Sequence, residues 1–149
     1  MEQGWKEVGF QIREIEFTTH CHATEDCLKV KTALLNALPV EIRNNVRVEE
    51  EDLEGFYGNR IKVMKMKVVE ESVNVFKYIL DNLSRTDRSL LMASLDLRFD
   101  RRSNRFFLRL DKQALYSGRM VLNDSDDVVK VVVYFKGFKD VGILKTMLT

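Results

Sequence analysis

The stretch HCHATEDC, residues 20–27, concentrates the side chains best suited to chemistry: His20, His22, Cys21, Cys27, Glu25 and Asp26. On a strand, His20 and His22 project from the same face and could share a zinc ion, with Cys27 one helical turn past a cap as third ligand. A thiol nucleophile is harder to build, because Cys21 and His20 are adjacent and point to opposite faces. The third reading is a strand-to-helix joint with Thr24 as N-cap, Glu25 and Asp26 at the positive end of the helix dipole, and first-turn amides able to meet a phosphate. Cys27 is in phase with Val30 and Leu34, as a small buried hydrophobe would be, and no C-x-x-C pair occurs, so the joint is preferred.

Three further segments carry candidate chemistry. EEEDLE, residues 49–54, could hold Mg²⁺ between carboxylates, although consecutive acids usually form a solvated surface. GFYGN, residues 55–59, could be a loop presenting Tyr57 to an unpaired base with Asn59 and Arg60 beside it, or it could pack over the end of the core. The strongest feature runs from Arg98 to Arg119, where seven bases face two acids. LDLRFD and RFFLRLD flank RRSN and read as a hairpin, with Leu95, Leu97, Phe99, Phe106, Leu108 and Leu110 inward. Arg98, Arg105, Phe107 and Arg109 then face outward, joined by Arg101, Arg102 and Lys112. Guanidinium groups interleaved with an aromatic ring suit phosphate and base contacts; the alternative is an edge hairpin kept soluble by its charges.

These segments need a scaffold. In GFQIREIEFTTH the apolar positions change phase between Ile12 and Ile15, which a bulge near Arg13 or Glu14 reconciles. ATEDCLKVKTALLNALP reads as a helix closed by Pro39, NVRVEEEDLEG as a strand entering an acidic loop, and RIKVMKMKVV as a strand whose four bases do not all share a face. Val73, Phe76, Leu80 and Leu83 mark a second helix, Thr86 caps a third through DRSLLMAS, and DKQALYSG gives about one turn ended by Gly118. RMVL reads as strand material, DVVKVVVYF as a central strand covered on most of both faces, and DVGILKTMLT as a last short helix. The order predicts an α+β fold with a mainly antiparallel sheet.

At 149 residues, 45% hydrophobic and with one proline, the chain is expected to form one domain over residues 1–149. Its longest apolar run, VVVYF, is far short of the roughly 18 residues of a membrane span, and the first ten residues lack the apolar core of a secretion signal. The expected location is the cytoplasm, where Cys21 and Cys27 should stay reduced and unpaired.

HATED entering a helix, G-x-x-G-N-x-I at Gly55–Ile61 and LRLDKQ-x-x-Y-x-G at Leu108–Gly118 together resemble an archaeal family of RNA-binding proteins and predicted exosome subunits. The resemblance runs through nearly the whole chain in order. It implies a fold similar to the large-subunit ribosomal protein that binds 5S rRNA, an antiparallel sheet with helices on one side, and RNA binding without catalysis. The matching positions are His22, Ala23, Thr24, Glu25 and Asp26, then Gly55, Gly58 and Asn59, then Asp111, Lys112 and Gln113. The family usually has proline where this chain has Arg60. The combined expectation is a non-enzymatic RNA-binding domain that uses Tyr57, Asn59, Arg60, Arg98, Arg101, Arg102, Arg105, Phe107, Arg109 and Lys112, with no cofactor and no metal. RNA is the expected partner, with exosome proteins or a second copy of the chain as further ones. The alternatives are a metal-dependent hydrolase or nuclease using His20, His22 and nearby acids, and a homodimeric scaffold in which the arginine face meets Glu49–Glu54 of a neighbour.

Overall fold

The computed structural model describes residues 11–54, 60–137 and 142–148. Gly55, Phe56, Tyr57, Gly58 and Asn59, and with them the expected stacking loop, lie outside the described residues. Six strands form one antiparallel sheet: β1 (Gln11–His22), β2 (Val48–Glu54), β3 (Arg60–Val68), β4 (Phe99–Asp100), β5 (Arg105–Asp111) and β6 (Val128–Lys136), in the order β2-β3-β1-β6-β5-β4. The fold is α+β, as the order of segments predicts.

The helices are α1 (Cys27–Leu35), α2 (Ser72–Asn82), α3 (Arg85–Ala93), α4 (Leu95–Arg98), α5 (Lys112–Tyr116) and α6 (Gly142–Leu148), with a 3-10 turn over Val40–Asn45. They cover one side of the sheet. Strand residues of one parity (Ile15, Phe17, Met64, Met66, Phe106, Leu108, Leu110, Val129, Val131 and Val133) are at most 1% exposed and share a core with Leu34, Val75, Phe76, Ile79, Leu80 and Leu91 of the helices. Phe76 stands edge-on to Phe106 and Phe135, with ring centroids 6.1 and 5.9 Å away, so α2 is keyed to β5 and β6 together. Strand residues of the other parity lie on a face that no helix of the described residues covers, and they are exposed or partly exposed apart from the buried Val63 and Val128.

The phase change in the first strand is a bulge. Ile12 pairs with Phe135 and Glu14 with Tyr134, so Arg13 is the unpaired extra residue, and Ile12 and Ile15 both reach the core. Elsewhere the structure corrects the sequence reading. Asp26, not Thr24, caps α1, accepting from Leu28 N–H at 3.0 Å, and Ser84, not Thr86, caps α3, accepting from Asp87 N–H at 3.0 Å. The acids of EEEDLE form the edge strand β2 rather than a loop. Opposite charges set its register: Glu49 lies across from Lys65, Asp52 from Lys62 and Glu54 from Arg60. RMVL contributes one isolated bridge, Leu122 to Leu110, and no strand. β6 is central but alternates, with one face buried and the other partly exposed, rather than being covered on both.

Two corrections bear on function. LDLRFD is mostly the single-turn helix α4, leaving only Phe99 and Asp100 in the strand, so Leu97 is 91% exposed instead of inward. Cys21 and Cys27 are joined in a disulfide that ties the end of β1 to the first residue of α1, where two unpaired thiols were expected.

Candidate nucleic-acid interface

The hairpin places part of the expected cationic surface as the alternation requires. Arg105, Phe107 and Arg109 share the open face, opposite Tyr134, Val132 and Lys130 of β6 respectively. The turn Arg101–Asn104 is built by Asp100, whose carboxylate accepts from Arg102 N–H at 3.0 Å and Ser103 Oγ at 2.7 Å. Those hydrogen bonds, Ser103 foremost, hold the Asp100 carboxyl below its ordinary pKa. Asn104 closes the turn with φ of 55°, a left-handed conformation that asparagine tolerates. Arg101 and Arg102 are exposed at the tip.

Register extends this surface across the sheet. Arg109 lies beside Lys130, Lys130 beside Thr18, Thr18 beside Lys65, and Lys65 beside Glu49 on the acidic edge. A cationic band therefore crosses four strands and ends at a carboxylate. Two guanidinium groups sit over aromatic rings of this face, each 5.4 Å from the ring centroid: Arg105 over Phe107 and Arg13 over Tyr134. Arg105 Nε also donates to Ser103 Oγ at 2.8 Å, and Arg105 lies 3.8 Å from Asp100. Both side chains of that pair are about two-fifths exposed, so the contact neutralises little of the arginine's charge. Arg109 Nη1 reaches the carbonyl of Asp124 at 3.4 Å and, among the described residues, meets no carboxylate within salt-bridge distance.

Two expected members of the surface are engaged elsewhere. Arg98 lies at the end of α4, its side chain 14% exposed, and donates to Asp124 Oδ2 at 3.1 Å and Ser94 Oγ at 2.8 Å. A carboxylate of the same chain thus takes it out of the outward row. Lys112 is only 3% exposed, and its ammonium donates to the His20 carbonyl at 2.9 Å, Glu25 Oε1 at 3.0 Å and Asp127 Oδ1 at 2.8 Å. It is a brace beneath the surface, not a phosphate ligand.

The brace explains why HATED and DKQ belong together although they lie far apart in sequence. Glu25 accepts from His22 N–H at 3.1 Å as well as from Lys112, closing the turn between β1 and α1. Asp111 caps α5 through Ala114 N–H at 2.8 Å and accepts from Asn123 Nδ2 at 2.8 Å, while Gln113 donates to Asp127 at 3.2 Å. The hydrogen bond from Lys112 lowers the pKa of Asp127 below the usual carboxylate value; burial opposes it, and a lesser hydrogen bond from Gln113 adds to the lowering.

The histidines stand on the open face, as their spacing predicts, with His20 across from Val63 and His22 across from Ile61. Burial, then the charges of Lys130, His22 and Lys112, lower the pKa of His20. Cys21 and Cys27 are bonded to each other, so neither thiol can complete a zinc site with these histidines. Among the described residues no group of three or more His, Cys, Asp and Glu side chains is placed to hold a metal ion. Nor is any helix among them long and apolar enough to cross a membrane.

Arg13, Lys130 and Tyr134 were not singled out as site residues from sequence, and Lys65 entered only as one of the four bases of RIKVMKMKVV. A signal for two of them was present: Lys130, Tyr134 and Lys136 recur with even spacing through the apolar run VVKVVVYFK.

A family described as RNA binding matches residues 14–135, most of the sheet and the helices between. The chain belongs to this RNA-binding family. An RNA-binding protein of Pyrococcus abyssi is 35% identical over 133 residues, covering 86% of this chain and 84% of its own. An uncharacterized protein of Methanocaldococcus jannaschii is 34% identical over 133 residues, covering 85% and 87%. A crystal structure of a DUF54 protein from Sulfolobus solfataricus superposes with a TM-score of 0.74 at 24% identity, covering 90% of this chain and 93% of that one, which shows the shared fold. The match of the RNA-binding family to the chain contains the whole cationic band, from Thr18 through Lys65 to Arg109 and Lys130.

Proposed function

We propose that this chain is a non-catalytic RNA-binding protein whose binding surface is the β5–β6 half of the open sheet face. Arg105, Arg109 and Lys130 supply the central phosphate contacts, Arg101 and Arg102 extend them at the hairpin tip, and Phe107 and Tyr134 fill the space between. Arg60, the first residue of β3, and Tyr57 and Asn59, which precede it in sequence, remain part of this proposal as further contacts. The observation that carries the reading is the alignment of Arg105 and Arg109 with Lys130 on a helix-free face, in a chain of the RNA-binding family. The RNA-binding protein of Pyrococcus abyssi, 35% identical, supports the same reading.

Charge does the binding on such a surface, so it should fade with salt. Each phosphate neutralised contributes roughly 0.7–0.9 to the slope of log affinity against log salt concentration. Fluorescence anisotropy of a labelled RNA, titrated at several salt concentrations, measures that slope. The double variant R105E/R109E should weaken binding to all sequences alike and flatten the slope by ~1.4–1.8 for two lost contacts. Unchanged affinity would remove the hairpin from the site.

The exosome association, the cytoplasmic location and the likeness to the ribosomal protein that binds 5S rRNA belong to the proposal on the strength of the sequence resemblance. Recovery of exosome subunits with the tagged protein from cell extract, resistant to ribonuclease, is the outcome that association predicts.

A further inference from the structure

We infer that the open face recognises helical RNA through its two backbones, and does not stack the bases of an unpaired strand; this rests on the RNA-binding reading above. Surfaces that hold single strands combine a cationic track with aromatic rings on which successive bases lie. Among the described residues the six-membered rings of this face are Phe107 and Tyr134, and each already carries a guanidinium 5.4 Å from its centroid; the imidazoles of His20 and His22 stand apart from them near the end of β1. A base would have to displace Arg105 or Arg13 to reach either ring. With those arginines in place, the face presents hydrogen-bond donors and positive charge where a stacking platform would present hydrocarbon.

The layout of the cations points the same way. Arg105 and Arg109 are four residues apart on β5, a separation of ~13 Å along the strand. Arg109 and Lys65 are separated by three strand spacings, or ~14 Å across the sheet. The cationic patch is thus about as wide as it is long, and a single phosphate chain would meet only one line of it. Two backbones facing each other across the wide, shallow minor groove of an A-form helix would meet both directions. Thr18, partly exposed between Lys130 and Lys65, places a hydroxyl in the band where a ribose 2′-hydroxyl can pair with it. Glu49 and Glu51 of β2 stand on the same face beyond Lys65 and Val63 and limit the ligand on that side.

The experiment uses the full chain and four probes of one sequence: an RNA duplex of about 16 base pairs, its two separated strands, and the matching DNA duplex, each measured by anisotropy at the same salt concentration. The RNA duplex should bind about tenfold tighter than either strand and than the DNA duplex, whose groove shape differs and which lacks the 2′-hydroxyl. A 2-aminopurine placed within the RNA duplex should keep its fluorescence on binding, because no base leaves the stack. Single strands binding as tightly as the duplex, or a rise in aminopurine fluorescence, would overturn the inference while leaving RNA binding intact. Equal binding of the DNA duplex would overturn it too. If none of the RNA probes binds, the functional reading falls and this inference falls with it. The folded double variant R13A/R105A, with circular dichroism confirming its structure, should lose duplex affinity and narrow the duplex preference; an unchanged preference counts against the capped-ring argument.

Discussion

Replacing Lys112 with methionine separates the two roles that a basic residue in this chain could have. In the folded protein the ammonium is 3% exposed and is shared by Glu25, Asp127 and the carbonyl of His20. Removing one member of a buried ion pair commonly costs 3–5 kcal/mol, on the order of what an abandoned, desolvated partner charge requires. Here the abandoned carboxylates can recover water, since the Glu25 and Asp127 side chains are 22% and 50% exposed. The expected loss is therefore smaller, about 2–3 kcal/mol, and methionine keeps most of the stem's packing. For a domain of this length that loss lowers Tm by roughly 5–10 °C. Thermal and urea denaturation followed by circular dichroism read it directly.

The same variant has a pH signature. Asp127 has its pKa lowered in the folded state, chiefly by the hydrogen bond from Lys112, so its stabilising contribution is present above the ordinary carboxylate value. That contribution is lost as pH falls through the lower, folded value. The stability gap between the native chain and K112M should hold from neutral pH down to about pH 4 and narrow below it. RNA affinity of the folded variant should stay within about twofold of the native chain, because a buried ammonium neutralises no phosphate. An unchanged Tm, or a large loss of RNA affinity with the fold intact, would refute the assignment of Lys112 as a brace.

His20 provides a test on the open face itself. Its pKa is lowered, first by burial and then by Lys130, so between the folded value and about 6.5 the unfolded chain binds the proton and the native one does not. Stability should consequently fall as pH drops through that window, and H20N, which cannot titrate, should flatten the dependence. Bound phosphate opposes the charge of Lys130, so RNA should raise the His20 pKa, seen as a shift of its imidazole resonances in an NMR titration; a downward shift would place the ligand elsewhere. The Cys21–Cys27 bridge closes a loop with a sequence separation of 6, for which the chain-entropy estimate is about 2 kcal/mol. Dithiothreitol should lower Tm accordingly, and titration of two free thiols in the unreduced, denatured protein would contradict the bridge. E49Q/E51Q neutralises the acidic border beyond Lys65 and should strengthen RNA binding a few-fold at low salt, with the gain vanishing at high salt; weakened binding would show that the border faces away from the ligand.

Alternation was the most legible signal, and it worked where strands are long. RFFLRLD fixed the faces of β5 correctly, because three buried residues alternating with four outward ones leave one consistent phase. LDLRFD carries the same alternation over a shorter span and became mostly helix. Ser94, one helical turn away, accepts from Arg98 Nε while the distant Asp124 draws in the guanidinium, so these two contacts outweighed an alternation too short to secure a strand. The Cys21–Cys27 bridge was argued away on compartment grounds, yet strand and helix geometry place the two residues 5.6 Å apart at Cα. Helix starts failed by two residues for a common reason: in both cases two side chains able to cap lay within three positions, and chain direction, which sequence does not display, chose between them.

The bulge at Arg13 joins fold and function in a single residue. Without it, Ile12 and Ile15 would point to opposite faces, and one of them would leave the core that Phe135 and Val133 help to build. The extra residue that the bulge absorbs has no partner in the β6 ladder, and its guanidinium comes to rest over Tyr134 on the open face. A residue that the bulge sets outside the ladder thereby adds a cation to the surface proposed for RNA. Deleting Arg13 should leave Ile12, Glu14 and Ile15 in regular alternation against Phe135, Tyr134 and Val133, keeping both isoleucines buried and Tm nearly unchanged while uncovering the ring of Tyr134. R13A keeps the residue count, so it should leave Tm nearly unchanged while weakening RNA binding at low salt. A deletion that lowers Tm far more than R13A would mean that the bulge itself, and not the ladder on either side of it, holds the two isoleucines in the core.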